Sequence, residues 1–180
     1  MEGKRISAYS PTMENKVFMA LTLAVFLGIT GLAYAADTES SGPKLPVPRF
    51  VTLGADEVNV RTGPGIRYPI RFILKKDGLP VEIIKEFDVW RQIRDMEGGS
   101  GWVHQSLLSG KRAAIVKGNM QQTLYKKPAT TARPVVKLEP GVIAGLDRCD
   151  KEWCYLKVAS YKGWIRRENL WGVYADENVK

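Results

Sequence analysis

Residues 58–71 read VNVRTGPGIRYPIR, with a Gly63-Pro64-Gly65 trio set among Arg61, Arg67 and Arg71. Glycines in this density either wrap backbone amides around phosphate or reverse a chain between strands. A phosphate loop of the form G-x-x-x-x-G-K-[ST] opens a helix. Here Ile66-Arg67-Tyr68-Pro69 follows the trio, Pro69 opposes a helix start, and Pro64 removes one of the amides such a cradle needs. The dinucleotide pattern G-x-G-x-x-G also fails, because Tyr68 stands at its last position. Val58 and Val60 alternate with polar neighbours, as in a strand with one buried face. The trio then turns the chain, with glycine supplying positive φ and proline presetting its own. The stretch is therefore a strand and turn of a β-protein.

The same pattern returns further along. Val89–Gly110 reads VWRQIRDMEGGSGWVHQSLLSG and Glu152–Gly172 reads EWCYLKVASYKGWIRRENLWG. Each runs from a tryptophan through a short strand and a turn to Gly-Trp, an aliphatic residue, then Leu and Gly. Upstream, Asn59–Pro64 answers to Thr123–Pro128, and Leu74–Val81 to Leu138–Val142, at a spacing of about 63 residues. Turn residues recur at short intervals, and no stretch after residue 36 carries a helical period. Only Ser106–Leu108 and Glu168–Leu170 suit a single 3₁₀ turn each. The expected organisation is two small all-β domains, at 50–111 and 112–175, with a tail at 176–180. A unit of this size has little core, so the two are expected to pack together.

These residues resemble a family. VNVRTGPGIRYPI is similar to the first strand and loop of bacterial SH3-like domains, and Trp90, Ile93, Gly101, Trp102 and Val103 are similar to their closing strands. The resemblance covers almost all of 55–172. In the second copy, TLYKKPA replaces the N-V-R-x-G-P-G segment and keeps only its proline, Pro128, while Glu-Trp-Cys and Gly-Trp-Ile remain. The resemblance implies two tandem SH3-like β-barrels. It leaves the ligand open, because such domains attach to cell walls, bind peptides or serve as structural parts.

The chain has 180 residues and a formal charge of +8, an excess that favours anionic partners. Location narrows them. After Met13, Lys16 supplies a basic n-region, Val17–Leu32 is uncharged and mostly apolar, and Ala33-Tyr34-Ala35 forms an A-x-A site. This is the layout of a secretory signal peptide over residues 1–35, cleaved between Ala35 and Ala36, with Met13 as an alternative start. A helix of that apolar length reaches only ~24 Å against a hydrocarbon core of ~30 Å, so the membrane is involved only if the signal stays uncleaved. No cysteine at the cleavage site invites a lipid anchor. Residues 36–49 read as a flexible linker. The protein is expected to be periplasmic or secreted. Export removes the usual nucleic-acid target, and the basic residues are scattered, so no nucleic-acid partner is expected.

Cys149 and Cys154 flank Asp-Lys-Glu-Trp in DRCDKEWC, and export permits a disulfide across that hairpin. A zinc site is the alternative, but one C-x4-C pair offers two of the four ligands a structural zinc takes, and His104 is the sole histidine. No metal or other cofactor is expected. The same scarcity bears on catalysis. A cysteine or serine nucleophile would have His104 as its one candidate base, and no G-x-S-x-G elbow occurs. Paired carboxylates exist in Asp88, Asp95 and Glu97 and in Asp147, Asp150 and Glu152, but beside hairpin turns. With the two repeats assigned, little chain is left for a catalytic domain, and the protein is expected not to be an enzyme.

The expected partner is peptidoglycan or an envelope protein or peptide, with a rigid structural subunit as the alternative. Binding is assigned to Arg61, Tyr68, Trp90 and Trp102 of the first copy, which join aromatic area to a guanidinium suited to carboxylates or phosphates. Arg61, Arg67 and Arg71 also suit turn bracing. Trp102 and its counterpart Trp164 suit semi-buried plugs of the barrels. Tyr125 and Trp153 repeat the pattern in the second copy. His104, Lys126-Lys127 and Arg166-Arg167 read as solvated.

Overall fold

A computed structural model describes residues 45–180. The proposed leader and its Ala35–Ala36 cleavage site lie outside the described residues. Among those described, no helix is long and apolar enough to cross a membrane.

The first domain holds β1 (Arg49–Leu53), β2 (Val58–Arg61), β3 (Ile70–Leu74), β4 (Pro80–Phe87), β5 (Trp90–Arg94), β6 (Ser100–His104) and β7 (Leu108–Ser109). They form one antiparallel sheet in the order β3-β2-β6-β5-β4-β1-β7. The second domain holds β8 (Ala113–Val116), β9 (Gln122–Tyr125), β10 (Pro134–Leu138), β11 (Ile143–Cys149), β12 (Trp153–Val158), β13 (Tyr161–Arg166) and β14 (Leu170–Trp171). Its order, β10-β9-β13-β12-β11-β8-β14, repeats the first strand for strand. The repeat seen in the sequence is thus a repeat of topology. A 3₁₀ turn precedes the last strand in each, at Gln105–Leu107 and Arg167–Asn169, one residue earlier than the sequence indicates.

Period-two patterning builds each core. Leu53, Val58, Val60, Val81, Ile83, Ile93 and Val103 come from five strands of one sheet and pack into one buried cluster. Side chains from five strands of one sheet gather into a single enclosed cluster only if the sheet curls round that face. Register shifts at Val60/Arg61 and Ile83/Lys85, matched at Pro134/Val136 and Leu146/Arg148, mark the bulges that sharpen such curling. The expected barrels do not close, however. β3 and β7, and likewise β10 and β14, end their ladders without pairing to each other.

The Gly-Trp motif has a packing cause. A Cβ on Gly101 would meet Val60 Cγ1 at 2.6 Å and the Arg61 carbonyl at 2.7 Å, and one on Gly163 would meet the Tyr125 carbonyl at 2.9 Å. Glycine lets β6 and β13 approach β2 and β9, and the pleat then turns the following tryptophan outward. Trp102 and Trp164 accordingly lie half-buried on the outer faces rather than plugging the cores. Gly63 also departs from expectation. It does not take the positive φ of a turn glycine; a Cβ there would run into the ring of Tyr68.

The domains are docked. Phe50 of β1 packs against Trp171 and Tyr174, with ring centroids at 5.0 and 4.7 Å. The Tyr174 hydroxyl donates to Oε1 of buried Glu82 at 2.7 Å, and Arg94 donates to Oε2 through Nε at 2.9 Å and Nη2 at 2.6 Å. The segment read as a tail packs on the second domain. The amide of Cys149 donates to the Val179 carbonyl at 3.0 Å, and Glu177 pairs with Arg112. Arg167, read as solvated, is only 7% exposed and donates to the carbonyls of Tyr174, Ala175 and Asp150. Three converging carbonyls serve both Nη atoms of this guanidinium where water does not reach, while its Nε is left without a partner.

Candidate binding face

In β2, β5 and β6 the inward positions belong to Val60, Ile93, Gly101 and Val103, all buried. Their alternates face outward. Ladder pairing sets Arg61 beside Trp102, Trp102 beside Gln92, and Trp90 beside His104. Arg61, Trp90 and Trp102 therefore share one face, as a groove would require. Tyr68 belongs to the β2–β3 loop, its ring laid against Gly63 and Gly65 with Arg67 above it at 5.5 Å. Arg61 spends its guanidinium on that loop, donating through Nη1 to the carbonyls of Ile66 at 3.1 Å and Tyr68 at 2.8 Å. The rings of Trp90 and His104 meet edge to face at 5.6 Å. His104 is also tied locally, with Nδ1 2.7 Å from the Ser106 hydroxyl where it caps the 3₁₀ turn.

The same positions in the second domain carry a fuller set. Cross-strand pairs place Tyr125, Trp164, Tyr155 and Arg148 side by side on β9, β13, β12 and β11. At the usual strand spacing this row is ~14 Å long. Tyr155 and Trp164 touch at 5.2 Å, and the Arg148 guanidinium lies over both rings, at 4.7 and 5.2 Å. Beside the row, Arg166 lies 4.7 Å over Trp153, which in turn meets Tyr125 at 6.0 Å. Tyr155 and Arg148 escaped the sequence reading. Tyr155 stands two residues after Trp153 and so shares its face, a signal that period two supplies. Arg148 carries no such signal, because the bulge beside it changes the register.

Charges on this face are organised too. Asp147 bonds Lys157 and pairs with Arg148 at 3.4 Å, and the Lys157 hydrogen bond holds its carboxyl below the usual value. Glu152 pairs with Arg166. Two of the other acids flagged in the sequence brace turns: Asp95 Oδ1 accepts the amides of Glu97 and Gly99, at 3.0 and 2.7 Å, and Asp150 Oδ1 accepts that of Trp153 at 3.1 Å. Cys149 and Cys154 form the disulfide. Among the described residues, no three His, Cys, Asp or Glu side chains gather as metal ligands would. An open groove of about 520 Å³ runs where the domains meet, lined in part by Leu53, Asp77, Lys111 and Ile143.

The topology, the doubled Gly-Trp pairing and the outward aromatic rows define a tandem all-β module. The bacterial SH3 domain profile matches residues 54–110 and 119–172, and the chain belongs to that family. It is 26% identical over 166 residues to a protein of Bacillus subtilis (strain 168) named "Putative N-acetylmuramoyl-L-alanine amidase YrvJ". That match takes in 87% of this chain but 30% of the relative, so the chain spans about a third of the relative's length. Among solved structures it is similar to NlpC2 and NlpC1 of Trichomonas vaginalis. The identities are 13% and 15%, over 71% and 75% of this chain and 49% of each of those chains, both with a TM-score of 0.32.

Proposed function

We propose that this protein is a non-catalytic binding module of the cell envelope, exported by its N-terminal signal and recognising peptidoglycan or an envelope peptide. The alignment of most of the chain with part of a protein named as an amidase of N-acetylmuramoyl-L-alanine carries this reading. That bond joins sugar to peptide in peptidoglycan, and a non-catalytic segment of such a protein would serve to hold it on its polymer. The engagement of His104, Asp95, Asp150 and both cysteines in turns, a cap and a disulfide supports a role without catalysis. A second reading, a rigid structural subunit, draws on the docking of Phe50 against Trp171 and Tyr174. Co-sedimentation with purified sacculi at low and high salt tests the first. Binding that survives high salt supports it, binding lost with salt reduces it to charge attraction, and no binding at either salt turns the choice to the structural subunit.

A further inference from the structure

We propose that the ligand face lies on the second domain, where Tyr125, Tyr155, Trp164, Arg148 and Arg166 form, beside buried Trp153, a site for a glycan bearing free carboxylates. This rests on the binding-module reading and assigns it a place and a chemistry. Three observations carry it.

The first is the difference between the copies. Equivalent positions read Tyr125 against Arg61, Tyr155 against Gln92, Arg148 against Lys85 and Arg166 against His104. In the first domain Arg61 is bound to its own loop and Gln92 separates the tryptophans. In the second the rings run without interruption across three strands.

The second is the state of the cations. Arg148 lies over Tyr155 and Trp164, 4.7 and 5.2 Å from their ring centres, with its side chain 54% exposed. Its contact with Asp147 is long, at 3.4 Å, and engages one nitrogen, so the rest of its N–H edge can meet an incoming carboxylate bidentately. Where the guanidinium leaves them uncovered, the rings of the row offer apolar surface on which the C–H face of a sugar can lie. Ring and guanidinium thus sit one strand apart, the arrangement a sugar with an adjacent carboxylate requires.

The third is charge. The acids on this face, Asp147 and Glu152, are already paired, and exposed Lys162 on β13 leaves the surface positive. Glu152 is 68% exposed, so its pair with Arg166 is weak and open to exchange with an incoming carboxylate.

The experiment compares the full chain with Arg148→Ala, Arg148→Lys, Tyr155→Ala and the matched first-domain change Lys85→Ala. Each is titrated by tryptophan fluorescence with muramyl dipeptide and with its neutral carboxamide, and each is co-sedimented with sacculi. Circular dichroism verifies folding, and exposed Arg148 gives a variant that keeps the core intact. Arg148→Ala should weaken binding about tenfold, from the loss of one desolvated cation contact. Arg148→Lys should restore little of it, Lys85→Ala should change it less than twofold, and the carboxamide should bind more weakly than the acid. Unchanged binding by folded Arg148→Ala and Tyr155→Ala, with sacculi still bound, overturns the placement and leaves the binding module standing. Equal binding of acid and carboxamide overturns the carboxylate. Failure of the unsubstituted protein to bind either probe or sacculi overturns site and module together.

Discussion

Replacing Tyr174 by phenylalanine removes one oxygen atom from the contact between the domains. That oxygen donates at 2.7 Å to Glu82, a carboxylate only 5% exposed, whose other oxygen is held by Arg94. A hydrogen bond to a charged group is worth about 1.5–3 kcal/mol, and truncation leaves one oxygen of a buried carboxylate short of a donor. The ring stays, so the packing of residue 174 on Phe50 at 4.7 Å is preserved and the change reports the hydroxyl alone. The expected loss at neutral pH is about 2 kcal/mol, measured by urea denaturation with fluorescence detection. The difference should also depend on pH in a set direction. Burial first, then the hydrogen bond and charge of Glu82, raise the Tyr174 hydroxyl well above its ordinary value of 10.0. The folded state then keeps a proton that the unfolded chain releases. Its contribution is complete below pH 10 and declines as pH rises above that value. Because the site is partly screened by solvent, the gap between wild type and variant should narrow by less than about 1 kcal/mol per pH unit. Equal denaturation midpoints at neutral pH, or a gap that widens in alkali, would refute the docking described for Tyr174 and Glu82.

Three further outcomes are expected. Gly101→Ala should cost about 1–3 kcal/mol in chemical denaturation, because its Cβ meets Val60 and the Arg61 carbonyl, whereas Gly110→Ala, with open space around it, should change stability little. Reducing the Cys149–Cys154 bridge should cost about 2 kcal/mol for so short a loop, and should speed amide exchange at Cys149, whose N–H bonds the Val179 carbonyl. Arg167→Met should destabilise by about 3 kcal/mol through three abandoned carbonyls, while Arg166→Met, partly exposed, should shift the thermal midpoint far less.

Much of the architecture is legible in the chain because it rests on local pattern. Val58 and Val60 point inward on alternation alone, and the paired Gly-Trp stretches announce equivalent strands by repetition. The Cys149–Cys154 bridge follows from a hairpin short enough to bring its two ends together. The errors arise where a residue's role depends on something distant. Gly63 looks like a turn glycine, but the ring of Tyr68 sets its size. Arg166 and Arg167 look like one solvated pair. The strand turns into a 3₁₀ helix between them, and only the second faces the carbonyls of the returning chain.

The candidate face shows the same division. Composition and spacing mark Trp90, Trp102, Trp153 and Trp164 as recurrent, and they favour the first copy because its loop is the better match. Which copy presents continuous aromatic surface depends on what lies beside each tryptophan across the ladder. Gln92 or Tyr155, Lys85 or Arg148, are separated from those tryptophans in sequence and joined by register and bulge. By itself, then, the sequence determined the strands, the doubling and the disulfide, since period two, repetition and a short loop act within a few residues. Only the tertiary structure decided that the barrels stay open, that residues 176–180 are docked, and that the aromatic row belongs to the second domain. Those depend on contacts between residues tens of positions apart, which a linear pattern does not specify.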